Sequence, residues 1–233
     1  MNRFVKTTNE AGPGHRRFGR VVRMGGWLVV CLLLAGCATG EHCAGRPGPD
    51  GRPENIFAYP AVLPASLQRV AVLPVACEEG GPVSPDSCEA LGPVLLDELI
   101  RTKKFEVVSV SPEILRRRTG RADWTGAESL PADFFGVLQR QYGCDAVLFC
   151  QLTTFRAYAP LTIGWRLKLV DAHTRQIIWA ADEVFDARRR TGIFQQWWQA
   201  VTPESAEEWA MLNSPARLGR YSVARLLETL PER

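Results

Sequence analysis

The sequence predicts a single α/β domain built on a mixed sheet, and three observations carry that expectation. Two short runs are apolar throughout, Val70–Val75 and Ala146–Leu152, as in strands covered on both faces. Segments of helical period lie between them. Beyond them, two runs of alternating character follow each other across a short connection, as in an antiparallel hairpin with one wet face. The expected order is β-α-β-α-α-β-β-β, with helices packed on one face and a helical C-terminal tail.

Each element has its own local reason. After the first strand, residues 89–103 read as a helix, with Ser87 a possible N-cap or a regular start at Gly92-Pro93. Val94, Leu95, Leu99 and Ile100 form its apolar stripe; Asp97, Glu98, Arg101 and Lys103 form its wet side. Phe105–Val110 is the second strand. Ser111-Pro112-Glu113 opens a short helix through Arg118, with Pro at the first helical position. Pro131–Tyr142 is helical, and Gly143 supplies the stop. In Ile163–Val170, Trp165, Leu167 and Leu169 share one face, and Arg166 and Lys168 the other. Gln176–Phe185 returns after Asp171-Ala172-His173-Thr174-Arg175.

The N-terminal part is a targeting segment. Arg16, Arg17, Arg20 and Arg23 precede the apolar run Trp27–Leu34, and Leu34-Ala35-Gly36-Cys37 reads as a lipobox. Residues 25–36 are too few to cross a hydrocarbon core, which needs about 20. The expectation is a signal peptide at 1–36, removed on export, and a lipidated Cys37 that anchors the chain in a bilayer. Ala38, rather than Asp, after the cysteine fits the periplasmic face of the outer membrane under the enteric sorting rule. Residues 37–66 are rich in Gly and Pro and read as a flexible tether. The alternative is a packed arm in which Ile56, Phe57, Tyr59, Val62 and Leu63 dock. Residues 67–187 form the binding domain, and 188–233 its helical C-terminal extension.

Removing the signal changes the charge. The whole chain is formally +3, with 28 Lys/Arg and 25 Asp/Glu. Residues 1–36 hold six of the basic and one of the acidic residues, leaving 22 and 24, a net of −2. The basic excess therefore belongs to the signal, and the case for nucleic-acid binding goes with it.

Among the cysteines, Cys77 and Cys88 flank a turn-rich loop that could join them; such a bridge contributes about 2–3 kcal/mol by loop entropy. Cys144 and Cys150 cannot pair if a strand runs between them, since four strand steps span about 13 Å against a limit of roughly 7 Å. No cysteine has metal spacing, and His173 is the only histidine in the folded part, so no metal or cofactor is expected.

The residues carrying the pattern also resemble a known group. The strand Arg69–Val75, Phe105-Glu106-Val107-Val108, the turn Tyr142-Gly143-Cys144-Asp145 into Ala146-Val147-Leu148, and the hairpin Leu169-Val170-Asp171, Thr174 and Ile177-Ile178-Trp179 are similar to a superfamily of envelope domains. It includes the periplasmic domain of the curli-secretion lipoprotein, the lipoprotein activators of peptidoglycan synthases, and the N-terminal domain of the Tol-system β-propeller protein. The resemblance covers about residues 68–187 and implies a non-enzymatic domain that binds another envelope protein. Relatives often have Gly where Arg175 stands, and Arg in a left-handed conformation costs about 1 kcal/mol or more.

No residue set reads as catalytic. His173 lacks a nucleophilic partner and falls on a turn; the pairs Asp97/Glu98 and Asp182/Glu183 point apart as sequence neighbours and read as solvated faces. Phosphate-binding and nucleophile-elbow motifs are lacking in the sequence, and no small-molecule substrate is expected. Arg188-Arg189-Arg190 reads as a solvated helix start, with an anion site as the alternative. In the tail, Ile193, Phe194, Trp197, Trp198 and Trp209, with Leu218, Tyr221, Val223, Leu226, Leu227 and Leu230, either cover the sheet or form a docking patch. The expected function is thus an anchored adaptor or activator of another envelope component in cell-wall synthesis or transport. The alternative is an oligomeric subunit of a curli-type secretion apparatus. The latter needs membrane-spanning strands of about 9–11 residues, and Thr154–Thr162 is too short and Pro-broken to supply them.

Overall fold

The computed structural model describes residues 53–77, 81–187 and 214–233. Cys37, Cys43, Arg188–Arg190 and the Trp197, Trp198 and Trp209 cluster lie outside them. The elements are β1 Ile56–Ala58, β2 Arg69–Val72, β3 Ala76–Cys77, α1 Pro85–Thr102, β4 Glu106–Ser109, α2 Pro112–Thr119, α3 Phe134–Tyr142, β5 Ala146–Arg156, β6 Thr162–Asp171, β7 Ile177–Asp186 and α4 Pro215–Leu227. The sheet runs β1-β7-β6-β5-β2-β4, with β3 also pairing β5. β2 is parallel to both β4 and β5; β5, β6, β7 and β1 pair antiparallel. The α/β class and mixed sheet match the sequence reading, and β1 and β3 are additional.

Helices cover both faces, and that corrects the expectation of one face. The chain steps from β2 outward to β4 and then back past β2 to β5. Right-handed crossovers in opposite directions must place their helices on opposite sides. One face buries Val70, Val72, Leu148 and Trp165 with Leu91, Leu95 and Leu99 of α1 and Leu218, Val223 and Leu226 of α4. The other buries Ala71, Leu73, Val147 and Phe149 with Leu115 of α2 and Phe134 and Leu138 of α3. Alternate residues of β2 and β5 thus enter different cores, which is why Val70–Val72 and Ala146–Cys150 are apolar without a break.

Three local readings change, and one alternative is decided. Helix α1 begins at Pro85, with Ser84 as N-cap, and holds Pro93 inside it. Glu98, expected on the wet side, is buried beside Arg220 of α4 at 3.3 Å, whereas Ile100 is 58% exposed. The reason is α4, which packs against α1 and covers Glu98, while Arg101 of α1 also lies 3.7 Å from its carboxylate. Residues 53–66, expected in the tether, join the fold: Ile56–Ala58 pairs with Ala181–Trp179, and Leu63 is buried. The part of the tail that is described is core, because Leu218, Tyr221, Val223, Leu226, Leu227 and Leu230 are all buried.

The α4 helix is tied to the sheet by two indoles. Trp165 Nε1 donates to Ser222 Oγ at 2.9 Å, and Trp179 Nε1 to Thr229 Oγ1 at 3.0 Å. Gly219 lets α4 approach α1: a Cβ there would lie 2.8 Å from Leu91 Cδ2. Among the described residues, no helix is long and apolar enough to cross a membrane.

Candidate docking cleft

The switch in helix direction creates a crevice. After β2 the chain turns to one face and after β4 to the other, so the carboxyl ends of these strands are left uncovered between α1 and α2. This is where parallel α/β sheets bind their ligands. Here the crevice encloses about 1090 Å³.

One wall is a stripe on α1 made of Pro85, Cys88, Glu89, Gly92, Pro93 and Leu96, at successive helical spacing. It lies beside the core stripe Leu91, Leu95 and Leu99 and was readable in the sequence as a second face of small and cyclic side chains. Pro93 has no N–H, so the Glu89 carbonyl lacks its donor from the next turn. Both residues line the cleft, leaving an acceptor for an incoming donor. The floor is Pro74 and Val75, and the opposite wall is Ser109, Val110, Pro112 and Arg116. Pro74, Pro82, Pro85, Pro93 and Pro112 all line the crevice, giving it stiff walls poor in donors. Its charged groups are Glu89, Arg116 and Asp123, the last 3.7 Å from Arg121.

Cys77 and Cys88 both line this cleft and are joined as a disulfide, with Cα atoms 6.4 Å apart. The bond links β3 to the first turns of α1. Cys144 and Cys150 are separate thiols in opposite cores. Burial pushes the Cys144 thiol up to about 11 and raises that of Cys150 further, so both are inert as nucleophiles.

The other singled-out residues do not converge on the cleft. His173 sits on the β6–β7 turn with Nδ1 2.9 Å from Gln139 Nε2. Asp171 Oδ1 accepts the N–H groups of His173 and Thr174, and Arg175 takes φ 61°. Asp182 pairs with Arg166 at 2.7 Å on one face of the sheet. Glu183, read as solvated, is fully buried on the other face. Its Oε1 accepts the backbone N–H groups of Glu54 and Asn55, fastening β1 to the sheet. Burial holds its carboxyl above the usual range. No sequence signal marked it, because only the docking of β1 covers it. Among the described residues, no cluster of His, Cys, Asp or Glu could hold a metal ion.

No protein-family model and no curated protein matches this chain. Solved structures do. The PelC dodecamer from Paraburkholderia phytofirmans is similar at 15% identity and TM-score 0.47, over 76% of this chain and 96% of that one. Lipoprotein GNA1162 from Neisseria meningitidis is similar at 16% identity and TM-score 0.38, over 57% and 94%. The C-terminal domain of LpoB from Escherichia coli is similar at 17% identity and TM-score 0.36, over 51% and 82%.

Proposed function

We propose that this protein is a lipid-anchored adaptor or activator whose α/β domain docks another protein of the cell envelope. Acylated Cys37 would hold it at the periplasmic face of the outer membrane, with the tether now limited to residues 37–52. The observation that carries the reading is the cleft between α1 and α2. It is large, stiff and mostly apolar, and it contains no nucleophile with a base beside it: its cysteines are bridged and its serines have no histidine neighbour among the lining residues.

A photocrosslinking residue at Leu96, inside the cleft, tests this in intact cells. A single envelope protein captured there, and not from Thr174 on the β6–β7 turn at the opposite end of the sheet, is the expected result. Equal capture from both positions removes the cleft from the proposal. For the anchor, Cys37→Ala should leave the membrane fraction; a variant that stays there at unchanged mass refutes lipidation. Sizing in detergent checks the oligomeric alternative, since a ring of eight or more subunits would favour a secretion-type assembly.

A further inference from the structure

The cleft continues into the outer edge of β4. Among the described residues this strand ends the sheet and pairs only with β2. The N–H groups of Glu106 and Val110 donate to Gln68 and Val72 on the inner side, at 2.8 and 2.9 Å. Strand alternation therefore aims the N–H and C=O of Val107 and Ser109 outward. Natural edges are commonly blunted by Pro, by a free charge or by cover. None of these protects β4 among the described residues. No Pro lies within it, and its one charge, Glu106, is held by Arg69 at 2.8 Å. Val107 and Val108 are half-buried and Ser109 is exposed, at the point where the edge enters the cleft.

The charges that flank this edge in the chain are mainly basic. Lys103 precedes the strand, and Arg116, Arg117 and Arg118 follow it on α2; all four are exposed. None is in an ion pair among the described residues. Glu113 of α2 is a carboxylate among them, its carboxyl held below the usual range by the Ser111 hydroxyl, which donates to it at 2.6 Å. Within the cleft Glu89 is the acidic exception, and Asp123 sits beside Arg121.

We infer that the docked partner presents an extended acidic segment that adds as a strand to the outer edge of β4. Its backbone bonds Val107 and Ser109, its apolar side chains enter the cleft, and its carboxylates meet Lys103, Arg116 and Arg117. This rests on the docking reading above and specifies the chemistry of the partner.

The test uses the full-length protein in detergent and fluorescent peptides of alternating Glu and Val, alternating Lys and Val, and the acidic peptide N-methylated on alternate residues. The acidic peptide should bind at least about tenfold more tightly than the other two. Ser109→Pro removes an outward N–H, which an edge strand tolerates, and should abolish binding with the melting curve unchanged. The double change Arg116→Glu and Arg117→Glu should weaken it about tenfold or more. Should Ser109→Pro fail to fold, the N-methylated peptide still decides the matter. Equal binding of acidic and basic peptides, indifference to N-methylation, or no binding at all overturns the inference. So does self-association of the protein that Ser109→Pro abolishes. Crosslinking from Leu96 is independent of these outcomes, so the docking cleft can stand if strand addition fails.

Discussion

Ser222→Ala isolates the bond that seats α4 on the sheet. Ser222 and Trp165 are both fully buried, and Ser222 Oγ accepts from the indole at 2.9 Å while donating to the Gly219 carbonyl at 2.8 Å. Deleting the hydroxyl leaves the indole N–H without an acceptor where water has no access. An orphaned buried donor costs about 1–3 kcal/mol, more than the roughly 1 kcal/mol net worth of an ordinary hydrogen bond. For a domain of this size each kcal/mol lowers Tm by roughly 2–4 °C. Urea and thermal melts followed by tryptophan fluorescence give the loss directly. Thr229→Val is the comparison: it removes the acceptor of Trp179, but Thr229 is only half-buried, so water can take its place and the loss should be smaller. In a Trp165→Phe background the cost of Ser222→Ala should shrink, because no indole remains to be orphaned. A loss for Ser222→Ala under about 0.5 kcal/mol, or one unchanged in that background, would refute the assignment.

Three further outcomes are expected. The folded state favours protonated Glu183, since burial raises its carboxyl. Its contribution to stability is therefore greatest below the unfolded carboxylate value of about 4.3 and declines as pH rises through the higher folded value. Glu183→Gln keeps an acceptor for Glu54 and Asn55; its urea midpoint should exceed wild type at pH 7 by a margin that vanishes in acid, and a pH-independent margin would contradict this. Arg175→Gly relieves the left-handed turn and should raise stability by up to about 1 kcal/mol in urea melts, offset in part by chain entropy. Cys77→Ser should cost about 2–3 kcal/mol from loss of the loop constraint. Thiol mapping of the native protein should find Cys77 and Cys88 unreactive until reduced; two reactive thiols there would exclude the bridge.

Most of the fold was legible because burial on two faces leaves a mark in the sequence. Val70–Val75 and Ala146–Leu152 could hardly be other than central strands, and Gly143 stops α3 in the left-handed conformation. The α1 boundary was less clear: the sequence offered Ser87 as N-cap or a start at Gly92-Pro93, whereas the helix begins at Pro85 and passes through Pro93. Glu98 and Glu183 were misplaced for one reason. Local pattern assigns a charge to water and does not see the distant partners, Arg220 on α4 and the N–H groups of Glu54 and Asn55 just before β1, that meet these carboxylates.

The sequence by itself determined the class of fold and the order of its central strands along the chain. Those depend on residue type and local period, which the chain carries wherever it is. The tertiary structure alone decided that helices lie on both faces, that β1 belongs to the sheet, and that a cleft opens at the ends of β2 and β4. These depend on crossover handedness and on contacts between residues far apart in the chain, and no local pattern encodes them.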